Sequence, residues 1–180
     1  MLILLDMDGP LVEYHGGFLR EFYRQYPDAP YKTLAELTEF YIRDNYPPEW
    51  KDRIDSIYYS PEFYFGLRPI PGSIAAVREI TRAGHKVKIC TNHSSRIREV
   101  SIIGKTAWIK LYLGKEFAEK TVFTKDKTRV PGDILVDDKP EIAGQAKPSW
   151  EHVVFDRPYN RHAKGKRRIT WENYAEILGI

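Results

Sequence analysis

Two aspartates one residue apart, Asp6 and Asp8, close an apolar run at the start of the chain, and Gly9 follows them at once. The run Met1-Leu2-Ile3-Leu4-Leu5 reads as a short strand buried on both faces, as in a parallel sheet. Carboxylates just past the carboxyl end of such a strand lie where open α/β sheets bind ligands. Asp and Gly also serve in helix caps and turns, so this stretch alone leaves both readings open. A calcium loop of the EF-hand type is excluded, because its glycine belongs at the sixth position and here Gly9 is fourth, followed by Pro10. Two further apolar runs end in polar pairs: Val87-Lys88-Ile89-Cys90 before Thr91-Asn92, and Ile134-Leu135-Val136 before Asp137-Asp138. Parallel strands put all three ends on one sheet edge. Four carboxylates gathered there repel and raise one another's pKa, so they require a cation. Asp oxygens suit Mg²⁺, which keeps some of its waters and accepts a substrate phosphate as a ligand. With one lysine, such a cation leaves one negative charge, and a substrate phosphate then needs a proton nearby. Asp8 is the natural holder, which makes it a candidate general acid.

The elements that must carry these ends alternate between strand and helix. Helices are predicted from Ser73 to Ala83, stopped by Gly84, and around Val100, Ile103, Ala107, Trp108 and Leu111, ended by Gly114. Strands are predicted at His85–Cys90, Val122–Phe123, Asp133–Val136 and His152–Phe155. Lys164 to Arg168 reads as a basic loop, and Trp171 to Leu178 as a closing helix. The alternation predicts an α/β fold: a Rossmann-like parallel sheet with right-handed crossovers. Residues 14–66 differ in character. They are crowded with aromatics, and Phe18, Phe22 and Tyr26 recur at helical spacing. Leu34, Leu37 and Tyr41 suggest a second helix, and Trp50 to Tyr59 a third. The expected organisation is a core of residues 1–13 and 67–180 with a small helical cap, 14–66, inserted after the first strand. Most of its aromatics are expected in the core, and their excess suggests a pocket wall for a flat apolar group.

The totals restrict the function classes. The 180 residues are 42% hydrophobic, enough for one core with an insert, and the 28 basic and 25 acidic residues give a net charge of only +3. That balance argues against nucleic acid or an anionic membrane as partner. The single cysteine, Cys90, excludes an internal disulfide and suggests a reducing compartment. No apolar run approaches the roughly 20 residues of a membrane span. With a core strand beginning at Met1, a cytoplasmic protein is expected.

Asp6-Met7-Asp8-Gly9, a strand ending in Thr91, Lys105 and Asp137-Asp138 together resemble the haloacid dehalogenase superfamily. Gly16-Gly17-Phe18-Leu19-Arg20, Pro69-Ile70-Pro71-Gly72, Thr124-Lys125-Asp126-Lys127-Thr128, Pro148-Ser149-Trp150-Glu151-His152 and Asn160-Arg161-His162 sharpen the resemblance to its 5′(3′)-deoxyribonucleotidases. Each motif is short, but together they run in order from Leu2 to about Leu178. The resemblance implies a Mg²⁺-dependent phosphatase that forms an aspartyl-phosphate on Asp6. In it Asp8 protonates the leaving nucleoside oxygen and then activates water. Asp6, Asp138 and the backbone carbonyl of Asp8 hold Mg²⁺, with Asp137 supporting. Thr91 binds the phosphate, Lys105 neutralises it and holds Asp6, and Lys127 assists. Tyr14, Phe40, Tyr41, Ile42 and Tyr58 fall where the family builds its sugar and base pocket. A nucleoside monophosphate substrate, and a dimer, are further implications.

The chain departs from that pattern in places. Pro10 replaces the usual apolar residue after the glycine, and Asn92-His93 stands where Ser-Pro is expected. Asn92 retains an amide donor for phosphate, whereas His93 is expected in a loop. Several insert positions carry Tyr in place of Phe or Trp, which bears on base and sugar preference. Three rival readings share the sequence, one of them a related phosphatase of the same type acting on nucleic-acid ends or on a non-nucleotide phosphate. Cys90-x5-Arg96 has the spacing of a thiolate phosphatase, though its loop lacks glycine to wrap an anion. The basic run Lys164, Lys166, Arg167 and Arg168, with so many aromatics, could instead hold a nucleic-acid strand.

Overall fold

The computed structural model describes residues 1–180 apart from the side chain of Pro61. Its centre is one six-stranded parallel sheet in the order β3-β2-β1-β4-β5-β6. The strands are β1 (Leu2–Leu5), β2 (Lys86–Thr91), β3 (Val122–Phe123), β4 (Ile134–Asp137), β5 (Glu151–Phe155) and β6 (Arg168–Ile169). β1 is central because Ile3, Leu4 and Leu5 are fully buried and no polar side chain interrupts them. It pairs with β2 on one side and with β4 on the other, Leu5 facing both Ile89 and Val136. The Asp6 amide extends the ladder to the Val136 carbonyl at 2.9 Å, which sets Asp6 beside Asp137. The three polar strand ends therefore meet on one edge, as the α/β reading requires.

Helices α1 (Tyr14–Gln25), α2 (Lys51–Tyr58) and α3 (Pro61–Phe65) lie between β1 and β2 in sequence, followed by α4 (Ser73–Arg82). α1 buries Phe18 and Phe22, as their spacing predicts, and ends one residue before Tyr26. The helix expected through Leu34, Leu37 and Tyr41 is absent. The chain there makes only isolated 3₁₀ turns, Leu34–Glu36 and Ile42–Asn45. Asn45 explains the difference. Its side chain accepts from the Thr38 and Glu39 amides and donates to the Glu39 and Tyr41 carbonyls. It thereby supplies the backbone partners that a helix would otherwise provide.

α5 (Arg98–Tyr112) corrects a second expectation. The apolar stripe assigned to it faces inward only in part: Trp108 is buried, but Ile103 is 61% exposed and Leu111 75%. The buried face is instead Ser101, Gly104, Lys105, Trp108 and Ile109. Gly104 permits this, since a Cβ there would stand 2.6 Å from Tyr64 Cβ of α3. The helix is thus rolled to deliver Lys105 inward. α6 (Lys115–Lys120) and α7 (Tyr174–Leu178) complete the layers. The basic loop ends in an unexpected edge strand, β6, which pairs with β5. Among the described residues, no helix is long and apolar enough to cross a membrane.

Candidate active site

The sheet edge brings Asp6, Asp8, Thr91, Asp137 and Asp138 together with two buried lysines. Lys105 Nζ reaches Asp8 Oδ2 at 2.5 Å, Thr91 Oγ1 at 3.0 Å and the Asn92 carbonyl at 2.8 Å. Lys127 Nζ reaches Asp137 Oδ2 at 2.5 Å and Asp6 Oδ1 at 2.9 Å. The contact expected between Lys105 and Asp6 is therefore corrected: Lys105 pairs with Asp8, and Lys127 with Asp6. The cause is placement. Lys105 descends from α5 beside the end of β2, whereas Lys127 opens a 3₁₀ turn, Lys127–Arg129, after β3. That turn is fixed by Asp126, whose carboxylate accepts from the Thr128 amide at 3.1 Å, and by the Trp150 indole N–H on the Lys127 carbonyl at 3.3 Å.

The electrostatics are those of crowded acids out of water. Burial, reinforced by the charges of Asp137 and Asp8, pushes the Asp6 carboxyl up to about 6 against the pull of Lys127 and Lys105. Burial likewise raises Asp138 well above the carboxylate range, with Asp137 and Asp6 adding repulsion. Burial opposes the charge on Lys127, yet Asp137 and Asp6 outweigh it and hold its pKa above the ordinary lysine value. Burial also opposes the charge on Lys105, and Asp8, with Tyr64 and Asp6, outweighs it.

These residues fit a divalent cation. Oxygens of Asp6, Asp137 and Asp138 lie within 4.8 Å of one another, all three residues buried. Four carboxylates against two ammonium groups leave a formal charge of −2. Asp6 Oδ1 and Asp8 Oδ1 are buried without a hydrogen-bond donor, since the Lys127 contact to Asp6 is an ion pair and not an aligned hydrogen bond. Both Asp137 oxygens are already engaged, by Lys127 and by the Lys139 amide at 2.8 Å. Asp6 and Asp138 are accordingly better placed as ligands than Asp137. Gly9 closes the floor beneath them. It has φ +94°, and a Cβ there would stand 2.0 Å from Asp138 Oδ2.

Above the carboxylates opens a cavity of about 660 Å³. Asp6, Asp8, Tyr14, Phe40, Tyr41, Ile42, Tyr58, Asn92, Lys105, Lys127, Asp137 and Asp138 all line it. Thr91 does not: it is fully buried and meets the site through Lys105. The wall is a stacked aromatic assembly. Tyr14 and Tyr58 lie 5.5 Å apart and nearly parallel, and Phe63 meets both edge-on. Tyr41 is 58% exposed at the rim. Sequence reading missed Tyr64, whose ring lies 5.8 Å from Lys105 Nζ, and Lys139, which lines the cavity beside Phe40 and Tyr41. It also missed Tyr159, whose hydroxyl donates to Asp138 Oδ2. The flagged Asn160-Arg161-His162 lay next to it, but only the demand of a buried hydroxyl for a partner could have singled it out.

Two of the rival readings lose their support here. Cys90 packs against Leu4, Leu135 and Trp150, and burial pushes its thiol up to about 11. Arg96 is paired with Asp55. The basic run is largely taken up internally: Lys166 binds the Pro140 carbonyl and Glu141, Arg167 binds Glu151, and Arg168 binds Asp156.

With this geometry in view, the comparisons with known proteins are decisive. The family described as 5′ nucleotidase, deoxy (pyrimidine), cytosolic type C protein matches residues 1–179. The chain belongs to this family. It is thereby a phosphoric monoester hydrolase on a haloacid dehalogenase fold. It is 38% identical over 187 residues to the human protein named 5′(3′)-deoxyribonucleotidase, cytosolic type, covering 98% of this chain and 92% of that protein. It is 39% identical over 186 residues to the human protein named 5′(3′)-deoxyribonucleotidase, mitochondrial, covering 98% of this chain and 81% of the other. Among solved structures, a haloacid dehalogenase-like protein from Agrobacterium tumefaciens superposes with a TM-score of 0.63 at 16% identity, covering 99% of this chain and 97% of that one. A haloacid dehalogenase family hydrolase from Deinococcus radiodurans, solved with bound phosphate and sodium, superposes with a TM-score of 0.61 at 14% identity, covering 99% and 95%. These two likenesses concern the fold.

Proposed function

We propose that this member of the family is a Mg²⁺-dependent 5′(3′)-deoxyribonucleotidase, converting deoxyribonucleoside monophosphates to deoxynucleosides and phosphate. The observation that carries the reading is the four-carboxylate, two-lysine floor beneath an aromatic-walled cavity. The Asp6 carboxylate attacks phosphorus in line, and the bond from phosphorus to the nucleoside oxygen breaks. Asp8 gives that oxygen its proton. In the resting site Asp8 is paired with Lys105; an arriving phosphate monoanion competes for that ammonium and supplies the proton that Asp8 passes to the leaving oxygen. Asp8 then takes a proton from water, which attacks the aspartyl-phosphate and releases inorganic phosphate. Lys105 and Asn92 bind phosphate oxygens, with Thr91 orienting Lys105, and Lys127 keeps Asp6 aligned. Mg²⁺, held by Asp6, Asp138 and the Asp8 carbonyl, supplies stabilisation of charge on the phosphoryl oxygens.

Residues 14–66 act as the cap over a core of 1–13 and 67–180. Tyr14, Phe40, Tyr41, Ile42 and Tyr58 receive sugar and base, and the cap keeps water out during transfer. The single buried thiol fits a reducing, cytoplasmic compartment.

The test is phosphate release from 5′- and 3′-monophosphates, ribo and deoxy, with and without Mg²⁺, comparing wild type with Asp6→Asn. Metal-dependent release from deoxynucleotides, lost in Asp6→Asn, is expected. Release only from non-nucleotide esters keeps the carboxylate mechanism and discards the nucleotidase, and metal-independent release discards the Mg²⁺-dependent carboxylate mechanism.

A further inference from the structure

Tyr159 is 1% exposed and among the bulkiest fully buried side chains. Phenylalanine would fill the same space, so the hydroxyl calls for a separate reason. Its one protein partner is Asp138 Oδ2. Tyr159 sits in the 3₁₀ turn Pro158–Asn160, after β5, and the neighbouring Asn160 side chain donates to the Asp138 carbonyl at 2.7 Å and to the Phe155 carbonyl at 2.8 Å. One short turn thus grips both the side chain and the backbone of Asp138. The carboxylate rests on Gly9 with no room to spare. A donor on Oδ2 leaves Oδ1 as the oxygen free to face a cation.

The other face of the Tyr159 ring is engaged as well. His15 of α1 stacks on it at 4.2 Å, the planes 25° apart. The His15 Nε2–H donates to the Phe40 carbonyl at 3.0 Å. The Phe40 ring stands edge-on to Tyr159 at 6.0 Å and lines the substrate cavity. Asp138, Tyr159, His15 and Phe40 therefore form one contiguous unit, joining the carboxylate floor to the wall contributed by the insert.

We propose that Tyr159 is a positioning residue that presents Asp138 to Mg²⁺, and that His15 couples this carboxylate to the seat of Phe40 against the nucleoside. The proposal rests on the reading of the site as a Mg²⁺-dependent nucleotidase. Partners that orient a metal ligand typically matter by 10–100-fold in metal affinity or activity. Tyr159→Phe keeps the ring and its stacking, and should weaken Mg²⁺ binding by about tenfold or more in isothermal titration. Its turnover should recover as Mg²⁺ is raised, with the melting temperature lowered by only a few degrees. His15→Asn should raise KM several-fold for a deoxynucleotide and leave KM for p-nitrophenyl phosphate, which lacks the nucleoside, within about twofold.

Equal Mg²⁺ affinity in Tyr159→Phe and wild type overturns the positioning role while the wild-type titration keeps the metal site. An equal change of KM for both substrates in His15→Asn overturns the coupling. If wild type itself binds no Mg²⁺, the reading of the site falls and the proposal falls with it.

Discussion

The floor and the wall of the cavity are built by opposite means. The floor is four carboxylates and two ammonium groups, nearly all buried, with specific partners and two oxygens left without a donor. The wall is Phe40, Tyr14 and Tyr58, the last two stacked on each other and met edge-on by Phe63. A charge in the floor has one acceptable arrangement, since an unpaired buried ion costs several kcal/mol. Rings in the wall tolerate exchange, because dispersion and area burial are non-directional. The floor thus fixes the reaction, and the wall adjusts what is brought to it.

The largest effect should come from the floor. Asp6→Asn removes the proposed nucleophile, and kcat should fall on the order of 10⁴-fold or more, with an unchanged circular dichroism spectrum. Activity near wild type would break the assignment. Next is Lys127→Met. It leaves Asp6 and Asp137 facing each other without their cation, so unfolding by urea should show a loss of about 3–5 kcal/mol, partly restored by added Mg²⁺. A loss well under 1 kcal/mol would mean that the floor is no more specific than the wall.

The boundary between the two regions carries its own pH signature. Burial, assisted by the charge of Arg157 and opposed by the Phe40 hydrogen bond, lowers the His15 pKa from 6.5 to about 4. The unfolded chain binds this proton first as pH falls. The stability due to neutral His15 is therefore complete above about 6.5 and lost as pH drops towards 4. The loss is on the order of 3 kcal/mol. Denaturant titrations of wild type and His15→Asn across that window should converge at its lower end. Parallel curves would refute the contribution. The smallest effect belongs to the wall: Phe40→Ala should weaken a deoxynucleotide by about 1–3 kcal/mol in kcat/KM, the usual worth of a stacked base, and barely change p-nitrophenyl phosphate.

Much of the floor could be read in the chain because it is written locally. An uninterrupted apolar strand followed by Asp-x-Asp-Gly, and another followed by Asp-Asp, specify both burial and polar ends within ten residues. The strand–helix alternation then fixes the parallel sheet and the edge where the ends meet. In the same way, periodicity located α1 and α4. It failed where a polar side chain took over a structural task. Asn45 supplies the backbone partners of residues 38–41, so the apolar spacing from Leu34 to Tyr41 yields no helix.

Only the tertiary structure decided which lysine meets which aspartate. Lys105 and Asp8 are 97 residues apart in sequence, and the helix that joins them turns a polar face inward that periodicity assigns to solvent. It also decided that Tyr159 stands behind Asp138. A tyrosine in a loop carries no pattern, and its role exists only once folding buries the hydroxyl and leaves a carboxylate as its one protein partner. Apolar periodicity records which side of an element avoids water, but it is silent about buried charges, whose positions are set by partners from distant parts of the chain.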